Sequence, residues 1–289
     1  MNHLLCFGLG YTGKAFAARL AAKNWLITGT SRHSEGAAAI AALGYNALVF
    51  DGAAPLSPQA FQNVTHILLS VPPDAGGDPV LRHHGEYLAA QAKQIKWLAY
   101  LSTTGVYGNH EGGWVTEDSP LTPDTERGQR RLEAEQGWLA LHRQHGLPVH
   151  IFRLAGIYGP GRNQLVSMLN GTAKRIIKPG QVFSRIHVED IATVLEASMA
   201  RPNPGAAYNV CDDEPSPPQD VVTQAAEILG GTPPPSIAFE NAKLSPMARS
   251  FYADSKRVSN ARIKKELGVA LRYPSYREGL AQLAKNLKR

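Results

Sequence analysis

Three glycines near the start constrain this chain more than any other feature. Gly8, Gly10 and Gly13 form G-x-G-x-x-G in the run Gly8-Leu9-Gly10-Tyr11-Thr12-Gly13. An apolar stretch at 4–8 leads into it and reads as a strand. Residues 14–23 follow it and read as a helix, with Phe16, Ala17, Leu20 and Ala21 on one side. In that setting each glycine has its own task. Gly8 permits a tight turn, Gly10 lets the backbone approach a diphosphate, and Gly13 lets the helix pack closely on the strand. The free N–H groups at the positive end of the helix then face the phosphates, with Tyr11 and Thr12 in the first turn. The pattern predicts a dinucleotide site.

The rest of the chain keeps the rhythm this requires. Strands are predicted at 25–30, 46–50, 66–71, 97–102 and 149–154, and helices at 35–43, 80–95 and 126–145. Strand and helix in alternation imply parallel strands with helices on both faces, joined by right-handed crossovers. The fold class expected is α/β, a Rossmann-type doubly wound parallel sheet with a smaller C-terminal substrate lobe. The bounds expected are 1–154 for the dinucleotide-binding domain and 155–289 for the lobe, some of whose segments return to the first domain. After residue 154 comes a glycine- and proline-rich loop at 156–162 and a helix at 188–199, and prolines punctuate the last third.

The end of the second strand bears on which dinucleotide binds. Sites for NAD usually offer an acid to the ribose there. This chain offers Thr30, Ser31 and Arg32 instead, and a hydroxyl and a guanidinium suit a 2′-phosphate. NADP is therefore expected, with NAD as the alternative. Asp51 either accepts from the adenine amino group or serves the Asp51-Gly52 turn. Ser70 and Val71, closing the fourth strand, complete the expected cofactor site.

Composition excludes several other classes. Hydrophobic residues make up 43% and charged residues 19% of 289, enough apolar surface for a core. No run approaches the roughly 18 apolar residues that span a bilayer. Residues 1–8 lack a basic region and a cleavage site, so a cytoplasmic protein is expected. Cys6 and Cys211 sit in apolar runs and read as buried free thiols, and no metal site is expected. The net charge of +6 is concentrated late, at Lys256, Arg257, Arg262, Lys264, Lys265, Arg272, Arg277, Lys285, Lys288 and Arg289. No aromatic interleaving, helix-turn-helix or zinc-finger spacing accompanies it, so nucleic acid is not an expected partner. The basic residues read as a solvated helical face.

Four segments in order resemble the extended short-chain dehydrogenase/reductases, the NAD-dependent epimerase/dehydratase family. They are the glycine turn, the stretch from Tyr100 through Thr103 to Val106-Tyr107-Gly108, the stretch from Arg153 to Ile157-Tyr158-Gly159-Pro160, and Ile186-His187-Val188-Glu189-Asp190. The resemblance implies chemistry in a cleft between the two lobes, and a homodimer through helices 80–95 and 126–145. It also implies a catalytic Ser or Thr, a Tyr and a Lys. Thr103 matches the first. Arg127 and Arg131 stand at the Tyr and Lys positions, with the spacing of the pair preserved. Arginine has a pKa above about 12 and cannot shuttle protons near neutral pH. The chain thus reads as an atypical member without the usual tyrosine, in which Arg131 still donates to the ribose.

Tyr107 and Tyr158 follow strands at the cleft and are the candidate substitute acids. Tyr252-Ala253-Asp254-Ser255-Lys256 also spells Tyr-x-x-x-Lys, but it lies far too late and is read as packing or surface. Nucleotide-sugar members often carry an Asn where Gly156 stands and an Arg where Phe183 stands. Alternation along a strand puts Arg185 on the same face as Phe183, so Arg153, Arg162 and Arg185 are expected to form an anionic-substrate pocket. Two functions follow as expectations. One is an NAD(P)-dependent reductase, epimerase or dehydratase of a small polar or anionic molecule. The other is a non-catalytic NADP(H)-sensing or regulatory protein.

Overall fold

A computed structural model describes residues 2–287, so Lys288 and Arg289 of the basic group lie outside the described residues. The first half runs β1 (His3–Phe7), α1 (Tyr11–Ala21), β2 (Leu26–Ser31), α2 (Ser34–Ala41), β3 (Asn46–Val49), β4 (His66–Leu69), α3 (Pro79–Ala90), β5 (Trp97–Thr103), β6 (Trp114–Val115), α4 (Glu126–His145) and β7 (Val149–Leu154). The second half runs β8 (Gly156–Tyr158), α5 (Gln164–Leu169), β9 (Arg175–Ile177), β10 (Arg185–His187), α6 (Val188–Ala200), β11 (Ala207–Val210), α7 (Pro218–Ile228), β12 (Ser236–Ala238), α8 (Pro246–Phe251), β13 (Arg257–Val258), α9 (Ala261–Leu267) and α10 (Tyr276–Leu287).

Seven strands form one parallel sheet in the order β11-β7-β5-β4-β1-β2-β3. Every residue of β1 is buried, because both faces of the sheet are covered. Leu4 and Cys6 join the core beneath α1 and α6, while Leu5 and Phe7 join the core beneath α3 and α4. The order reverses at β1, between β2 and β4, and that reversal opens a crevice at the carboxyl ends of the strands.

The sheet does not close at residue 154. β11 pairs with β7 in the register Asn209↔Arg153, and α6 lies against α1, where Glu196 pairs with Arg19 at 2.7 Å. Residues 188–210 thus return to the first layer. The small lobe is built from β8 with β10, β9 with β12, and α5, α7 and α10 around Tyr158, Leu165 and Leu280. The late strand β13 pairs with β6 and carries residues 252–258 back over the crevice. No helix among the described residues is long and apolar enough to cross a membrane.

Two helix starts set the site. Asp78 caps α3, accepting from Val80 N at 2.8 Å and Leu81 N at 2.9 Å, with Pro79 in the first turn. Thr125 caps α4, its Oγ1 accepting from Gly128 N at 3.1 Å. A side chain at Gly128 would start 3.0 Å from the Gly105 carbonyl, so α4 begins hard against the turn that follows β5.

Candidate active site

The glycine turn is closed on two sides and open on the third. Gly8 has φ +80° and donates its N–H to Thr30 Oγ1 at 2.9 Å, while Val71 packs over it. A β-carbon at Gly13 would meet Cys6 Sγ at 3.0 Å. A β-carbon at Gly10 would meet nothing nearer than the Gly8 carbonyl at 3.9 Å. No side chain caps α1, so its first N–H groups keep room for an anion. These residues fit a diphosphate. Ser70 stands at the crevice, its N–H bonded to Phe7 O at 2.9 Å. Ser31 is half-buried beside α2, and Arg32 is exposed and makes no ion pair among the described residues. Asp51 serves the turn: its Oδ1 accepts from Ala53 N at 2.9 Å, and it does not line the cleft.

From this turn a cleft of about 900 Å³ runs between the lobes. Tyr11, Thr12, Thr103, Arg127, Arg131, Tyr158, Arg162 and Arg185 all line it. Arg127 and Arg131 are one helical turn apart on α4. Arg131 Nη1 donates to Leu101 O at 2.6 Å and to Tyr100 Oη at 3.3 Å. Arg127 reaches across to lie 5.1 Å from the ring centre of Phe251 in the small lobe. Thr103 Oγ1 accepts from Gly105 N at 3.1 Å, which leaves its hydroxyl hydrogen free to donate into the cleft.

The small lobe contributes cations and a latch. Tyr11 Oη donates to Pro160 O at 3.0 Å, and Arg162 lies 5.9 Å from the Tyr11 ring centre. Arg185 donates to Phe183 O at 2.9 Å and to Ser216 Oγ at 2.7 Å, and Phe183 does line the same cleft. Burial lowers the Arg185 pKa, opposed by the buried carboxylate of Asp212. Asp212 is itself pushed up to about 8 by burial, against the pull of Arg185.

Three expectations are corrected. Tyr107 is fully buried outside the cleft; its Oη donates to Asn209 Oδ1 at 2.7 Å and accepts from Arg153 Nη1 at 2.9 Å. It therefore cannot serve a substrate as an acid. Arg153 is only 4% exposed and is held by Glu135, with Nη2 2.9 Å from Oε2, so it does not join Arg162 and Arg185 in a substrate pocket. Tyr158 lines the cleft, but its hydroxyl donates to Ser275 O at 3.2 Å and burial drives its pKa further up, which removes it as a substitute acid.

Sequence reasoning missed what lies beneath the cleft floor. Ser102, Arg153 and Asn209 are in register across β5, β7 and β11. Glu135 of α4 sits on this row, taking Ser102 Oγ at 2.5 Å and the Arg153 guanidinium. Only strand pairing reveals such a row, so local patterns carry no trace of it. The Tyr252–Lys256 segment was also misplaced. Tyr252, Asp254 and Lys256 line the cleft, and Lys256 is buried rather than part of a solvated basic face. The one local trace of this placement is the Tyr-x-x-x-Lys spacing of Tyr252 and Lys256. Among the described residues no group of His, Cys, Asp and Glu is arranged to hold a metal.

Comparison with known proteins agrees with this architecture. Residues 87–211 match the family model described as the NAD dependent epimerase/dehydratase family. A conserved protein of unknown function from Silicibacter pomeroyi is 55% identical, with both chains covered in full and a TM-score of 0.92. Protein YeeZ of Escherichia coli K12 is 28% identical over 283 residues, 95% of this chain and 97% of that one. The fold also matches a dTDP-glucose 4,6-dehydratase from Bacillus anthracis solved in complex with NAD, at 19% identity, TM-score 0.79, and 100% and 97% coverage. Within this parallel sheet and two-lobed cleft, residues 87–211 carry the match to the NAD dependent epimerase/dehydratase family.

Proposed function

We propose that this chain is a nicotinamide-dinucleotide-dependent enzyme of the epimerase/dehydratase or reductase type, acting on a small anionic molecule such as a nucleotide-linked sugar. One observation carries the reading. Tyr11 and Thr12, which follow Gly10 at the start of α1, line a single cleft with Thr103 and Arg131, and Arg127, Arg162, Arg185 and Lys256 add positive charge to its walls. Similarity to proteins that act on dTDP-glucose supports the substrate class. The dinucleotide supplies the hydride acceptor or donor. Gly10 and the start of α1 hold its diphosphate, Arg131 bonds its ribose, and Thr103 donates a hydrogen bond to the reacting oxygen of the substrate. Arg127 stands where the family carries its tyrosine, and an arginine there binds an anion rather than exchanging a proton.

The experiment is calorimetric uptake of each dinucleotide, followed by absorbance at the nicotinamide band with dTDP-glucose and UDP-glucose. Turnover that falls on the order of 100-fold in Thr103→Ala while Thr103→Ser, which keeps the bond from Gly105 N, retains it supports the enzyme. Uptake with no turnover across a broad panel of sugar nucleotides would favour a dinucleotide sensor, the reading that the arginine at 127 recommends.

Arg32 sets the finer choice. Exposed beside Ser31 and without a carboxylate partner, it suits a 2′-phosphate, so the phosphorylated dinucleotide is the proposed cofactor. Arg32→Ala is expected to weaken NADP binding by about tenfold, roughly one charge-assisted hydrogen bond at an exposed site, and to leave NAD binding nearly unchanged. Equal losses for both dinucleotides would contradict this assignment.

A further inference from the structure

The reading above gives Lys256 a charge on the cleft wall and no part in the chemistry. β13 pairs with β6, and this brings Tyr252, Asp254 and Lys256 to the wall of the cleft. Their backbone is fixed from several directions. Gln181 Nε2 donates to Asp254 O at 2.6 Å, Ser255 N donates to Asn109 Oδ1 at 2.9 Å, and Val182 N donates to Ser255 Oγ at 3.2 Å. The Lys256 side chain is 9% exposed, and its Nζ donates to Asp254 Oδ2 at 3.2 Å. The other oxygen of Asp254 is buried and has no hydrogen-bond partner among the described residues. An ammonium has three donors, so this pair leaves Lys256 able to bond a ligand in the cleft.

The other groups lining the cleft are poorly suited to moving protons. Arginine side chains do not exchange a proton near neutral pH. The hydroxyls of Tyr11 and Tyr158 are committed to Pro160 O and Ser275 O. Tyr252 and Tyr276 are buried phenols, and burial raises a phenol away from neutrality. The same burial moves a lysine the other way, toward the working range of an acid/base group, while Asp254 and then Asp124 pull it back. The charged groups around Lys256 are Asp254 on its own segment and Asp124 ahead of α4. Arg127 and Arg131 on α4 and Arg185 on β10 share the cleft with it.

We propose that Lys256, positioned by Asp254, is the group that passes protons to and from the substrate in this cleft, a role that the family's tyrosine cannot fill here. The inference rests on the cleft being a nicotinamide-dinucleotide site. In the oxidising direction, the C–H bond of a substrate carbinol breaks and its electron pair leaves with hydrogen as hydride to the nicotinamide ring. The O–H proton passes to the neutral amine of Lys256, which becomes an ammonium. Reduction reverses both transfers, and Thr103 bonds the same oxygen throughout.

Trace acetylation of the full chain with acetic anhydride across a pH series, read for each lysine by peptide mass spectrometry, tests the ionisation directly. Lys256 is expected to reach its labelling midpoint at a lower pH than exposed Lys93 and Lys265. Asp254→Asn removes the charge that favours the ammonium, so it is expected to lower that midpoint further. With dTDP-glucose or UDP-glucose as the probe, Lys256→Arg and Lys256→Met are both expected to lower kcat on the order of 100-fold or more with KM little changed. A merely anchoring cation would be rescued by arginine. Labelling of Lys256 in step with Lys93 and Lys265, or full kcat in Lys256→Arg, overturns the proposal. Where neither sugar nucleotide is turned over, the labelling midpoint decides alone. Failure of the dinucleotide reading appears separately, as absent uptake in calorimetry, and does not move the labelling.

Discussion

Glu135→Leu is expected to cost the folded state about 3–5 kcal/mol, because it strips a buried guanidinium of its partner. Arg153 is 5% exposed along its side chain and Glu135 1%, and their charges face each other at 2.9 Å. Ser102 Oγ at 2.5 Å and Tyr107 Oη at 2.9 Å complete the shell. Arg153→Leu leaves the carboxylate stranded and is expected to cost as much. The double replacement by leucines removes both charges and is expected to lose less than the sum of the two singles, since each single change contains the penalty of an orphaned ion. Urea unfolding of the three variants measures this. Single losses under about 1 kcal/mol would show that water reaches the pair.

Gly10→Val is expected to separate binding from folding. The backbone at Gly10 has φ −88° and ψ −154°, an extended conformation with negative φ that does not require glycine. The space beside it is open, so thermal stability should stay within about 1 kcal/mol of the parent. The added methyls occupy the ground a diphosphate needs. Dinucleotide Kd is expected to rise on the order of 100-fold, about 2.8 kcal/mol. Calorimetry with a parallel melting curve reads both. Retained affinity would mean that α1 does not receive the phosphates, and the functional reading would fall with it. The same change at Gly13 would strike Cys6 Sγ and report on packing instead.

What could be read in advance divides by distance along the chain. The strands β1, β4, β5 and β7 announce themselves as short apolar runs between helical periods, because they are buried on both faces. β11 does not, since its four residues lie among prolines and a turn, and only its pairing with β7 identifies it. Two-residue strands such as β6 and β13 have no local signature at all. The places of Thr103, Arg127 and Arg131 on the cleft wall can be read from the sequence because each lies within a few residues of the strand or helix that aims it. Tyr107 and Arg153 misled for the opposite reason: their partners Asn209 and Glu135 come from elements 102 and 18 residues away. Nothing local to Lys256 shows that β6 recruits its segment to the cleft.

The helix carrying Arg127 and Arg131 buries Leu132, Ala134 and Trp138, and a charge pins its azimuth as well. Glu135 lies one turn beyond Arg131 and inserts like a key into a lock cut by Ser102 and Arg153. Each residue of an α-helix advances about 100° around its axis. A slip of a single position would swing that carboxylate out of its socket and carry both guanidinium groups off the cleft with it. A buried charge pair, added to the greasy face of Leu132, Ala134 and Trp138, dictates which edge of the rod looks at the ligand.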